Sequence, residues 1–263
     1  MPSVHVGEAS IHYREAGGGK DVVVLLHGFP LNSGMWEPQL PYLASRFRVI
    51  APDYRGLGES GPAPAIATME LLAGDVVHLL RQLGVRRAAL AGLSMGGYVA
   101  FELYRRAPEL FRGLALCVTK AVPDTREQKD AREAFAQGAL SKGLAWVADE
   151  FAPRVLRPRP DPEVLARVKR IIGEGTPAGV AAASRGMAAR PDSVPTLPRI
   201  TCPTLVVAGE EDQLMPFAEL QRIAQTIPAA RLVRIPGAGH MPNLEAPGAF
   251  NTALSTFLAG LPA

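Results

Sequence analysis

Several uninterrupted apolar runs constrain the fold of this chain more than any other feature. Val22 to Leu26, Arg48 to Ala51, Ala88 to Ala91, Leu114 to Val118 and Leu205 to Val207 show no alternation of apolar and polar residues. A strand with one wet face alternates, so runs like these belong to strands covered on both faces, as in a parallel sheet. The intervening segments read as helices. Met35 to Ala44 is one, and Leu72, Val76, Leu79 and Leu83 recur at helical spacing up to Gly84. Two short strands are expected at the start, Val4 to Val6 and Ser10 to Glu15, turning at Gly7, and a last strand at Arg231 to Ile235. Phe250, Leu254, Phe257 and Leu258 mark one face of a closing helix. Alternating strands and helices predict an α/β fold.

The pattern changes near Ala121. From there to about Asp192 only helical segments are found: Thr125 to Leu140, Leu144 to Leu156, one opening at Asp161-Pro162 and one opening at Thr176-Pro177. The expected organisation is a core from residues 1–120 and 193–263 with a helical cap at 121–192. With 263 residues, 48% of them hydrophobic, the chain can bury a large core. Its net charge of +3 is spread over scattered arginines, so no nucleic-acid partner is expected. No run is long enough to span a membrane and no leader pattern opens the chain, so a cytoplasmic protein is expected. Cys117 and Cys202 read as buried free thiols, and no group of side chains has metal-ligand spacing.

The chemistry enters at Gly92-Leu93-Ser94-Met95-Gly96, which matches G-x-S-x-G between an apolar strand and a helix. A turn this tight leaves no room for side chains at 92 and 96, and it strains the backbone at Ser94. A serine hydroxyl needs a base, and a base needs an orienting acid. Of five histidines, His240 is the best base, because its glycine-rich loop follows the last strand, at the sheet edge where ligands bind. His27 reads as a structural residue of its loop, and His78 as part of a helix. Asp212 follows the strand that ends at Ala208; Glu210 and Glu211 are rivals for the acid, and Asp124 is a second position for it. The backbone N–H groups of Met95 and Phe29 are candidates to bind an oxyanion. Gly56-Leu57-Gly58-Glu59-Ser60-Gly61 mimics a dinucleotide-binding loop, but Pro62-Ala63-Pro64 follows where that loop requires a helix.

With these pieces in hand, the chain resembles the α/β-hydrolase fold family. The resemblance rests on His27-Gly28-Phe29-Pro30, Asp53 to Ser60, Gly92 to Gly97, Gly209 to Asp212 with Pro216, and Gly239-His240 with Glu245. It implies an eight-stranded, mostly parallel sheet with helices on both faces and a helical cap over the site. It also implies Asp212 as the acid, a structural role for Asp53, Arg55, Gly56 and Ser60, and no cofactor. Within the family the chain is most similar to small bacterial carboxylesterases and 3-oxoadipate enol-lactonases. That implies a Ser94–His240–Asp212 triad acting through an acyl-enzyme on a small ester of short to medium acyl chain. Enol-lactone hydrolysis is the alternative, with C–C bond hydrolysis, perhydrolysis or ligand reception behind it. Leu214, Met215, Met241, Trp146 and Phe135 are expected to line the substrate pocket. Arg126, Arg132, Arg154 and Arg185 read either as solvated helix faces or as carboxylate binders. The oligomeric expectation is a monomer or a small homo-oligomer.

Overall fold

The computed structural model describes residues 2–262. Eight strands form one sheet: β1 (Ser3–Val6), β2 (Ala9–Ala16), β3 (Val22–Leu26), β4 (Arg48–Pro52), β5 (Ala88–Leu93), β6 (Phe111–Cys117), β7 (Thr204–Gly209) and β8 (Ala230–Ile235). Their spatial order is β1-β2-β4-β3-β5-β6-β7-β8. β1 and β2 pair antiparallel, β2 joins β4 antiparallel, and every later pairing is parallel. The apolar runs fall where this topology demands them. All six residues of β5 and of β7 are buried, as are six of the seven in β6.

The helices are α1 (Leu40–Ala44), α2 (Met69–Gln82), α3 (Met95–Arg106), α4 (Arg126–Val155), α5 (Pro162–Gly173), α6 (Pro177–Ala188), α7 (Phe217–Thr226), α8 (Pro242–Glu245) and α9 (Pro247–Ala259). Side-chain caps explain several of their starts. Thr68 accepts from the Leu71 N–H at 3.1 Å before α2, and Thr176 from the Gly179 N–H at 2.9 Å before α6. Thr125 and Gln128 form a reciprocal capping box at α4. Two sequence expectations need correction. Met35 to Ala44 is not one helix: a 3₁₀ turn at Ser33–Trp36 and the five-residue α1 flank a break at Pro38. The segments Thr125–Leu140 and Leu144–Leu156 are joined as α4, which bends where Gly143 leaves helical geometry at φ 80°.

Helices α4, α5 and α6 lie between β6 and β7, and α5 and α6 both pack on α4. No helix among the described residues is long and apolar enough to cross a membrane. The loop after β3 is tied to the end of the chain through buried amides. Gln39 donates to Asn251 Oδ1 at 2.8 Å, and Asn243 Nδ2 donates to the Met35 carbonyl at 2.8 Å. Trp36 and Phe250, both fully buried, pack beside these amides with ring centroids 6.1 Å apart. Phe250→Ala would open a cavity at this junction and should cost about 3–5 kcal/mol in urea-denaturation stability. A loss below about 1 kcal/mol would mean that α9 does not anchor the loop after β3.

Candidate active site

The turn from β5 into α3 sets the site. Ser94 adopts φ 53° and ψ −110°, a conformation that non-glycine residues seldom hold. A Cβ on Gly92 would collide with the backbone of Gly96, and one on Gly96 with the carbonyl of Leu26. Close approach therefore dictates both glycines. The turn is pinned on each side: the Ser94 N–H donates to the Cys117 carbonyl at 2.8 Å, and Thr119 Oγ1 donates to the Ser94 carbonyl at 2.8 Å.

Three loops at the carboxyl edge of the sheet converge on Ser94 Oγ. His240 Nε2 lies 2.9 Å from it, and His240 Nδ1 lies 2.7 Å from Asp212 Oδ2. Both side chains of the His240–Asp212 pair are buried. The other carboxylate oxygen of Asp212 accepts the N–H groups of Leu214 at 2.8 Å and Met215 at 3.0 Å. A carboxylate only accepts, so Nδ1 carries the proton and Nε2 presents its lone pair to the serine O–H. The rivals for the acid are elsewhere: Glu210 accepts from the Gly237 N–H at 3.2 Å, Glu211 is exposed, and Asp124 pairs with arginines. Phe29 and Met95 present backbone N–H groups that find no acceptor among the described residues.

The His240 loop has a brace whose role the sequence reading missed. Glu245 accepts the N–H groups of Gly239 at 2.8 Å, Met241 at 3.1 Å and Arg157 at 2.6 Å. Burial pushes its carboxyl up, against the pull of those amides. The residues flanking His240 are thereby held from one side, and the end of α4 is tied to the same carboxylate. His27 is structural. Its Nε2 accepts the Tyr54 N–H at 3.0 Å, so Nδ1 is the protonated nitrogen, facing the Gly28 carbonyl. Burial lowers its pKa. Asp53 organises the neighbouring loop, accepting from the Ser33 N–H at 2.7 Å and the Glu59 N–H at 3.1 Å and pairing with His12 at 2.8 Å. Burial opposes ionisation of Asp53, but these hydrogen bonds hold its carboxyl below the usual range. Gly61 bridges to Ser10, and the next helix does not begin until Met69.

Ser94 and His240 open onto a cavity of about 310 Å³. Phe29, Phe135, Leu214 and Met215 line it, as do Phe151 and Met187. Phe29 meets Phe135 and Phe151 edge-on, at 5.8 and 5.3 Å between centroids. Two expected pocket residues do not line it. Met241 is buried beneath its loop, and Trp146 stands behind Phe135 with centroids 5.3 Å apart. Of the four arginines, Arg126 pairs with Asp130 and Arg185 with Glu133, whereas Arg132 and Arg154 reach the cavity. The sequence reading also missed Tyr98, Lys120 and Gln128 in this wall. Lys120 was findable, because it lies just past the carboxyl end of β6, at the edge that carries the other loops.

Comparison with known proteins agrees with this architecture. The model of the alpha/beta hydrolase fold matches residues 21–247. The chain belongs to the α/β-hydrolase family. It is similar to the structure of a thermophilic esterase from Thermogutta terrifontis with malate bound, with 40% identity, a TM-score of 0.94 and 98% of each chain covered. The enol-lactonase from Burkholderia xenovorans is 32% identical with a TM-score of 0.90, covering 98% of this chain and 100% of that one. The 3-oxoadipate enol-lactonase 2 of Acinetobacter baylyi is 29% identical over 91% of this chain and 89% of its own length.

Asp124, in the connection from β6 to α4, pairs with Arg132 of α4 and with Arg190 just past α6, the latter at 2.7 Å. Burial would raise its carboxyl, but the hydrogen bonds from Arg190 and Arg132 outweigh that and hold it well below the ordinary 3.8. A carboxyl with a depressed folded pKa contributes stability above its unfolded value and loses it as the pH falls towards the folded one. Below about pH 4 the wild-type protein should therefore lose unfolding free energy more steeply than Asp124→Asn. Parallel acid limbs in urea melts would contradict the pairing.

Proposed function

We propose that the chain is a carboxylic ester hydrolase for short- to medium-chain acyl esters, working through a covalent acyl-enzyme on Ser94. The hydrogen-bonded line Ser94–His240–Asp212, facing a mainly apolar cavity, is the observation that carries this reading. Ser94 Oγ attacks the ester carbonyl carbon while its proton passes to His240 Nε2. Asp212 holds the ring and stabilises the imidazolium. The carbonyl oxygen becomes an oxyanion, bound by the N–H groups of Phe29 and Met95. The intermediate collapses, His240 protonates the leaving alcohol, and the acyl group stays on Ser94. Water then gives a proton to His240 and attacks the acyl carbon, and as the second intermediate collapses His240 returns that proton to Ser94 Oγ, which frees the acid and regenerates the serine. Residues 121–192 act in this scheme as a cap that limits substrate size, with Phe135, Phe151 and Met187 as its apolar contribution. Similarity to enol-lactonases keeps lactone opening by the same nucleophile as a second reading.

A p-nitrophenyl ester series from acetate to palmitate tests the reading. Activity should peak on the short to medium esters. Ser94→Ala should lose on the order of 10⁴- to 10⁶-fold in kcat. Asp212→Asn should lose about 10⁴-fold, because an amide stabilises the wrong tautomer of His240. Near-wild-type hydrolysis by Ser94→Ala, or a maximum on palmitate, would overturn it.

A further inference from the structure

The cavity wall opposite the apolar lining holds more positive charge than its acids neutralise. Asp124 is the only carboxylate among the described residues lining the cavity, and its side chain is 0% exposed. Lys120 reaches its Oδ1 at 3.0 Å, Arg190 reaches the same oxygen at 2.7 Å, and Arg132 Nε binds Oδ2. One carboxylate thus faces three cations, whose side chains are only 15%, 4% and 24% exposed in that order. Arg154, the other cation in the wall, is already paired with Glu150 at 2.7 Å.

A staple that only holds the β6–α4 connection against α4 needs one cation for its carboxylate. Arg190 lies outside the cavity lining and is held besides by the Met187 and Val122 carbonyls and the Tyr98 ring, so the cavity-lining Lys120 and Arg132 share with it one carboxylate that does not offset their desolvation. The donors are also unspent. Arg132 engages Asp124 through Nε, and its two terminal nitrogens have no hydrogen-bond partner among the described residues, yet they are not sealed in the interior. Lys120 has one remaining donor after Asp124 and Gln128, the latter at 3.2 Å. A planar pair of guanidinium N–H groups matches a carboxylate in two parallel hydrogen bonds, and an adjacent ammonium adds a third. Phe135, Phe151 and Met187 would cover the carbon skeleton between this wall and Ser94.

We propose that Lys120 and Arg132 form an anion subsite for a free carboxylate of the substrate, with Asp124 setting their positions. The acyl compound hydrolysed at Ser94 then carries an ionised carboxylate besides the bond that is cut. The inference rests on the reading of Ser94 as a hydrolytic nucleophile. It adds a substrate class to that reading and gives Asp124 a reason to be where three cations meet.

The test uses two near-isosteric pairs assayed in a pH-stat, one for each side of the scissile bond. Monoethyl succinate is compared with ethyl butyrate, and 4-acetoxyphenylacetate with 4-ethylphenyl acetate. In at least one pair the wild-type kcat/KM should favour the carboxylate by about ten- to a hundredfold. In Arg132→Met and Lys120→Met the charged-to-neutral ratio should fall towards one. No preference in either pair, or a preference that survives both substitutions, overturns the subsite. Hydrolysis of neutral esters that depends on Ser94 but shows no charge preference removes the subsite alone. Hydrolysis that survives Ser94→Ala removes the nucleophile reading instead. A second measurement needs no turnover and leaves Lys120, Arg132 and Asp124 intact. Succinate should raise the melting temperature of Ser94→Ala protein and succinamide should not; equal shifts, or none, count against the subsite.

Discussion

The rest of the site depends on a backbone constraint, the sharp turn at Ser94. A serine held at φ 53° costs local free energy, so the surrounding structure must enforce it. Three features do so. β5 is buried along its whole length between β3 and β6, so its end cannot relax. The glycines at 92 and 96 let the backbones of β3, β5 and α3 approach more closely than side chains would allow. Hydrogen bonds to Cys117 and from Thr119 grip the serine backbone on the β6 side. A nucleophile on such a turn points away from the sheet and sits beside the free N–H groups at the start of a helix.

Parallel strands send all their following loops to one edge, which brings distant parts of the sequence to this turn. In the proposed mechanism the loop after β3 supplies the Phe29 N–H, the loop after β7 supplies Asp212, and the loop after β8 supplies His240. Each is held by contacts outside the reacting atoms. Phe29 is flanked by Phe135 and Phe151, Asp212 accepts two backbone amides, and Glu245 clamps both sides of His240. Groups fixed in this way need little reorganisation during reaction, which is how preorganised electrostatics lower a barrier.

The sheet was legible because its strands are covered on both faces, so their apolar runs need no partner to be recognised. Ser94 and His240 could be read from their places just past strand ends; Asp212 shared its place with Glu210 and Glu211 and was chosen by the family resemblance, and it is the one of the three that contacts His240. Part of what was not legible is local, and the rest depends on tertiary contact. Pro38 breaks the apparent helix at 35–44, a short-range cue that its apolar residues masked. Helix α7 was passed over although Leu220 and Ile223 form its buried face. Arg132 resembled any solvated helix arginine until folding placed Asp124 and the cavity beside it. Trp146 is a large apolar residue in the right segment, but it packs against Phe135 and does not line the cavity.

The central claim is that Ser94 alone forms the covalent intermediate, activated by His240. Intact-mass and peptide mass spectrometry after treatment with a fluorophosphonate measures this directly. The account expects one adduct per chain, on the peptide containing Ser94, forming in step with inactivation and strongly slowed in His240→Ala. Complete inactivation with Ser94 unmodified, or equal labelling in His240→Ala, would contradict it.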